Sequence, residues 1–238
     1  MSTFTVTNTN NSGAGSLRQA VLNANALSGK DIINSGGLFT DGLAHTINLT
    51  GSGLSITDNL TIEGTNPSKL TIKDDSADRI FDIASGVTSA INGLTITNSY
   101  KNTGGGGAIS NEGVLTLSNS IITGNTVNNN VRYSPGDIAS EGGAIFNTGS
   151  LTVDYSSITG NTVNNNVKNS FGNIISEGGG IFNEGSLTVN HTTISYNNSN
   201  EAGGGIYSYG TITLKTVPSL AIQQEKAEKV VASTPIAL

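Results

Sequence analysis

The sequence predicts an all-β chain wound as a right-handed parallel β-helix, and three observations carry that prediction. The first is self-similarity at a fixed step. Gly106-Gly107-Ala108-Ile109 returns as Gly142-Gly143-Ala144-Ile145, and again at Gly179-Gly180-Ile181 and Gly204-Gly205-Ile206. The four isoleucines step by 36, 36 and 25 residues, and Leu115, Leu151, Leu187 and Ile212 repeat those steps. The unit is a coil of about 25 residues, with 11 more inserted in two successive coils. The second observation is a series of short apolar i,i+2 pairs bounded by Gly, Asn, Asp or Pro, such as Leu60 and Ile62 or Leu94 and Ile96, which read as strands. The third is composition: only 35% hydrophobic and 12% charged residues, with 31 glycines among 238. That is too little apolar material for a deep globular core and too little charge for disorder.

In chain order, Phe4 and Val6 mark a first strand. Ser16 and Gln19 match a capping box. Leu17, Ala20, Val21 and Ala24 then recur at helical spacing, and Gly29 provides the stop. This amphipathic helix is expected to lie across the first coil, because an uncovered end rung invites edge pairing. Residues 1–46 are thus the N-terminal strand and cap, and residues 47–214 the solenoid. Each coil reads as three strands, for example Ala108-Ile109, Leu115-Thr116-Leu117 and Ile121-Ile122. Alternation turns Leu115 and Leu117 inward and Thr116 outward. Asn125, Asn161 and Asn197 align as a side-chain ladder in a turn that Asn suits. The insertions, residues 127–137 and 163–173, both begin Val-Asn-Asn-Asn-Val. They are expected to leave the stack at one corner and lie one above the other. From Pro218 to Val231 the composition changes, and Leu220, Ala227 and Val231 share a helical face. Residues 215–238 therefore read as a C-terminal helical cap or tail.

The segment from Phe4 to Asn10, with Ser12-Gly13-Ala14-Gly15-Ser16-Leu17-Arg18-Gln19-Ala20-Val21, resembles the N-terminal unit of bacterial, often cyanobacterial, parallel β-helix surface or secreted proteins. Leu60-Thr61-Ile62 and Leu94-Thr95-Ile96 resemble their coils. The resemblance covers roughly Phe4 to Leu214 and implies the fold more than the function. Gly142-Gly143-Ala144-Ile145 is also similar to half of the repeat motif of chlamydial polymorphic outer-membrane adhesins. In the companion motif of that family two residues separate Phe from Asn, whereas here Asn147 directly follows Phe146.

The net charge of −6 and pI near 4.8 exclude the basic stripe of a nucleic-acid binder. There is no Cys, hence no disulfide or zinc-thiolate site. No apolar run approaches the ~20 residues of a membrane-spanning helix. Met1-Ser2-Thr3-Phe4-Thr5 lacks a basic then apolar leader pattern. The expectation is a secreted or cell-surface protein exported without a classical signal peptide. The sequence does not set its oligomeric state.

Chemistry-bearing residues are sparse. Many parallel β-helix proteins are polysaccharide lyases, hydrolases or epimerases, and resemblance to them implies clustered carboxylates beside Arg, Lys or His. Here the only histidines are His45 and His191. His191 aligns with Tyr155 and Asn119 on an outward row. Asp74, Asp75 and Asp78 gather around Arg79, and Glu141 and Glu177 are equivalent positions after the insertions. Hard cations such as Ca²⁺ want several such oxygens; a solvated turn with local Asx bonds is the favoured reading of both groups. Gly104 to Gly107 is not followed by Lys-Ser/Thr and reads as a turn rather than a phosphate loop. The insertion tips carry Arg132 and Tyr133 on one and Lys168 and Phe171 on the other, and loops on a rigid scaffold commonly bind. With Tyr155 and His191 they form the expected contact surface for glycans or protein partners. The expected function is therefore a non-catalytic, adhesin-like scaffold, with a polysaccharide-processing enzyme as the alternative.

Overall fold

The computed structural model describes residues 1–35, 41–102, 104–130, 138–166, 172–217, 219–220 and 230–232. Its strands form five parallel sheets of nine, seven, six, four and three strands, here A to E. A coil enters sheet C (Ile109–Asn111), turns into sheet A (Val114–Ser118), then into sheet B (Ile121–Thr123). The next coil repeats the same order one rung up, which makes the chain a parallel β-helix.

The predicted inward row is present. Leu115 pairs with Leu151, Leu151 with Leu187 and Leu187 with Ile212, and none is more than 1% exposed. Ile96, Ile122, Ile158 and Ile194 form the matching row in sheet B. Strands this short gain nothing as isolated hairpins; stacked, they line one continuous apolar bore. At the corner from C to A, a Cβ on Gly149 would strike the Gly113 carbonyl one rung below, so the close stacking of coils there requires glycine.

The N-terminal helix is Leu17–Asn25, with Ser16 as N-cap and Leu17, Ala20, Val21 and Ala24 buried. Ser16 Oγ accepts from the Gln19 N–H at 3.2 Å. The Gln19 amide, however, donates to Asn23 Oδ1, so only half of the expected capping box forms. The helix ends at Asn25 with Ala26 as its C-cap, ahead of Gly29. Arg18 fastens it to the first sheet C turn, donating to the carbonyls of Gly53 and Ser52 at 3.0 and 2.7 Å. Thr3–Val6 and Asp31–Ser35 head sheet A, so strand stacking begins before the Ile47 start that the apolar pairs suggested.

Three strands per coil is an undercount where the insertions lie. Thr126–Asn129 and Thr162–Asn165 pair in sheet D, and Ile138–Glu141 and Ile174–Glu177 pair in sheet E. Because Thr-Val-Asn-Asn recurs at the coil's own step, pairing simply continues into the inserted chain. The two sheets touch each other and make a fin on the body. The insertions do leave at one corner, one above the other, as expected; their tips lie outside the described residues. The C-terminal helix is corrected at both of its ends. Ser219–Leu220 pairs with sheet B and Val230–Ala232 with sheet A, where open rung edges offer backbone partners that override helical periodicity. Residues 221–229 lie outside the described residues.

Candidate functional site

The corner between sheets A and B carries the most unusual outward side chains. Four successive strands of sheet A, from Val114–Ser118 to Thr211–Lys215, end in a left-handed residue at the handover to sheet B: Asn119, Tyr155, His191 and Thr216 have φ of 46°, 44°, 43° and 44°. Asn adopts this conformation readily, whereas a bulky side chain there is uncommon. Gly93 takes the same corner one rung before Asn119, with φ of 70°. The strain is held by hydrogen bonds to the next rung. The N–H groups of Asn119 and Tyr155 donate to the carbonyls of Asp154 and Asn190, each at 3.1 Å. The following residues do the same: the Ser120 and Ser156 N–H groups donate to the hydroxyls of Ser156 and Thr192, each at 3.2 Å.

The handover throws Tyr155 and His191 outward. Their rings stack with centroids 4.4 Å apart and planes within 8°, and Tyr155 remains 59% exposed. His191 Nδ1 lies 3.9 Å from Asp154 Oδ1, which also accepts from the Asn190 amide at 2.8 Å. The sequence-predicted pair is thus brought together. Beside it runs an open groove of about 450 Å³, lined by Asn66, Pro67, Asn119, Ile121, Tyr155 and Ser157 among others. Asn66 and Pro67 were not anticipated. They belong to an irregular early coil, and the Asn-Pro pair was the signal of a turn that could project.

Glu141 and Glu177 also come together, as neighbours in sheet E. Burial pushes the Glu141 carboxyl up to about 7, with the nearby Glu184 and Glu177 carboxylates adding repulsion. Facing them on the outside of sheet C is an aromatic column. Phe146 stacks on Phe182 at 5.5 Å and Phe182 on Tyr207 at 5.8 Å, and Phe182 and Tyr207 are 1% exposed. Burial raises the Tyr207 phenol, helped by its hydrogen bond to Tyr209 and by Glu177. These rings are a small second core between body and fin, rather than an exposed stacking surface. The i,i+1 Phe-Asn and Tyr-Ser pairs of the repeat were its sequence signal.

The aspartates each have their own donors. Asp74 is buried and accepts from the Ser76 and Asp78 N–H groups, both at 3.1 Å. Asp75 accepts from the Asn48 and Asn98 amides and from Lys73, and the Asn48 bond leads in holding it below the usual range. Burial alone would raise Asp78, but Lys101 at 2.6 Å and the Arg79 N–H bring it below the usual range. No group of three or more His, Asp or Glu suited to a metal ion occurs among the described residues. His45 starts a strand and meets Asp41 at 2.9 Å. Arg132, Tyr133, Lys168 and Phe171 lie outside the described residues. No described helix is long and apolar enough to cross a membrane.

No protein-family model matches the chain, and no curated protein matches it. Function must therefore be argued from the geometry.

Proposed function

We propose that the chain is a non-catalytic, right-handed β-helix scaffold of the secreted or cell-surface kind, adhesin-like, that binds glycans through the corner groove. The observation that carries this reading is the exposed Tyr155 ring, held in a left-handed turn and standing over a groove edged by amides and hydroxyls. A sugar ring presents an apolar C–H face and a polar rim. An aromatic face with Asn and Ser around it complements both. A bulky side chain kept at positive φ points to function rather than to turn geometry, which Asn or Gly would serve at lower cost. Right-handed winding follows from the strong chirality of parallel crossovers. The test is a glycan array followed by calorimetric titration. Tyr155→Ala is expected to weaken binding by about tenfold or more, ~1.4 kcal/mol, with unchanged thermal melting. Full binding by that variant refutes the assignment.

A second reading, a polysaccharide-processing enzyme, is favoured by one observation: Glu141 titrates near 7 beside Glu177, which suits a general acid at neutral pH. Turnover of a polysaccharide that vanishes in Glu141→Gln would establish it. Absence of turnover across uronate and neutral substrates, with and without Ca²⁺, leaves the scaffold.

A further inference from the structure

We infer that the corner groove takes an uncharged, internal segment of a glycan chain, laid across the corner rather than along the solenoid; the inference rests on the glycan reading above. Direction follows from the rings. Tyr155 and His191 occupy successive rungs, so the line joining their centroids runs along the solenoid axis and their parallel planes stand across it. One face of Tyr155 is covered by His191. The other looks down the row toward Asn119, whose amide turns away to donate to Asn92 Oδ1 at 2.9 Å. A sugar ring lying flat on that free face shares its plane. The bonds to its neighbours leave within that plane, across the corner, toward sheet A on one side and over Ile121 and Ser157 of sheet B on the other.

The walls of the groove support an internal segment. Pro67 and Asn66 close it in the axial direction, about three rungs or ~14 Å from Tyr155. Across the corner, Ile121 and Ser157 edge the groove on the sheet B side, and no residue of a sheet A strand lines it. Charge selects against acidic sugars. The lining contains no Lys or Arg. The outward column of sheet A beside it runs Glu63, Asn92, Ser118, Asp154, Asn190, Lys215. Its two acidic side chains, Glu63 and Asp154, accept from Asn92 and Asn190 at 2.6 and 2.8 Å, which places acidic oxygens beside the groove. Lys215 is the single cation, at the far end.

The experiment compares a neutral galactan with polygalacturonate, each as a polymer and as short oligosaccharides, on the full chain and on Tyr155→Ala. Expected is neutral binding at least tenfold tighter at low salt, with the gap narrowing as salt screens the carboxylates, and equal affinity per site for polymer and oligomer. A nitroxide on the end of a neutral oligosaccharide should broaden the amides of Thr123 and Thr159 or Thr116 and Thr152 more than those of Gly93 and Thr216. Equal or tighter polygalacturonate binding, binding of oligomers alone, or broadening along the turn row overturns the inference while leaving glycan binding intact. Loss of any difference between wild type and Tyr155→Ala removes the groove itself.

Discussion

The body and the fin are made by the same repeat but are held together differently. In the body, the inward rows are mainly Leu, Ile and Val packed against one another from Ile33 to Leu214, nearly all fully buried. Inside the fin, the buried positions among the described residues are Val127, Asn129 and Val163 on sheet D against Ser140 and Ser176 on sheet E. Those serine hydroxyls have no hydrogen-bond partner, nor does Asn165 Oδ1. The same backbone ladder therefore rests on a continuous hydrophobic bore in one region and on a thin, half-polar layer in the other. Backbone pairing fixes the register in both, but apolar burial decides how much each region resists opening.

The largest expected effect tests that contrast directly. Leu151→Ala leaves a cavity in the centre of the bore, with Leu115 below and Leu187 above, and should cost about 2–5 kcal/mol. Val163→Ala in the fin should cost about 1–2 kcal/mol, because two thin sheets can close over the gap. Urea melts of the two variants measure the difference. A fin variant as damaging as the bore variant would mean that the fin belongs to the body's cooperative unit.

The next effect concerns a feature that sequence reading reached only in part. Asn125, Asn161 and Asn197 were legible as a ladder because they recur in a Gly-rich turn, and their amides do link at 3.0 and 2.9 Å. A second ladder was missed. Asn111, Asn147 and Asn183 are wholly buried, linked at 2.7 and 2.6 Å and ended by Ser208. Each also caps the turn from C to A, as Asn147 does through the carbonyls of Gly149 and Ser186. Alternation along Ile145-Phe146-Asn147 places Asn147 inward with Ile145, and a polar residue at an inward position is hard to expect from pattern alone. The repeat period, the bore and the N-terminal helix were visible because each rests on spacing between residues of one kind. The fin strands, the Phe146 column and the Asn66-Pro67 wall depend on pairing between distant rungs, of which the local pattern records only a turn or a repeated short motif. Asn147→Ala should cost about 2 kcal/mol, since it strands the Asn111 and Asn183 amides without water. Asn128→Ala on the outer, part-exposed surface of the fin should cost far less, and equal losses from the two would mean that ladder burial is immaterial.

Glu141 lets pH separate the two regions. Its carboxyl, raised to about 7 against an ordinary 4.5, is disfavoured as an anion in the folded chain. Its stabilising neutral form is fully present below pH 4.5. That contribution is lost as pH rises through 7 and is gone above it. After allowance for the carboxyl's partial exposure the loss is about 1 kcal/mol. Glu141→Gln should flatten the melting profile between pH 4.5 and 7 and raise the melting temperature at pH 8. Hydrogen exchange should place the change at Ile138–Glu141 and its sheet E neighbours, not in sheet A. A wild-type profile that is already flat across that window would show that fin and body do not desolvate this carboxyl.

The smallest effect compares two orphan hydroxyls, one in each region. Ser89 interrupts the leucine row of sheet A between Leu60 and Leu115, and Ser176 faces the interior of the fin. Neither hydroxyl has a partner. A buried hydroxyl that makes no hydrogen bond has lost its hydration without compensation, so its removal should stabilise the fold. In the bore, Ser89 is enclosed by aliphatic side chains and water cannot follow it, so Ser89→Ala should gain about 1 kcal/mol. In the fin, two narrow sheets part easily enough to hydrate Ser176 for some of the time. Ser176→Ala should therefore gain only about half as much by the same principle. Denaturant midpoints at constant slope distinguish the cases. A larger gain at Ser176 than at Ser89 would reverse the comparison, because it would make the fin interior the drier of the two.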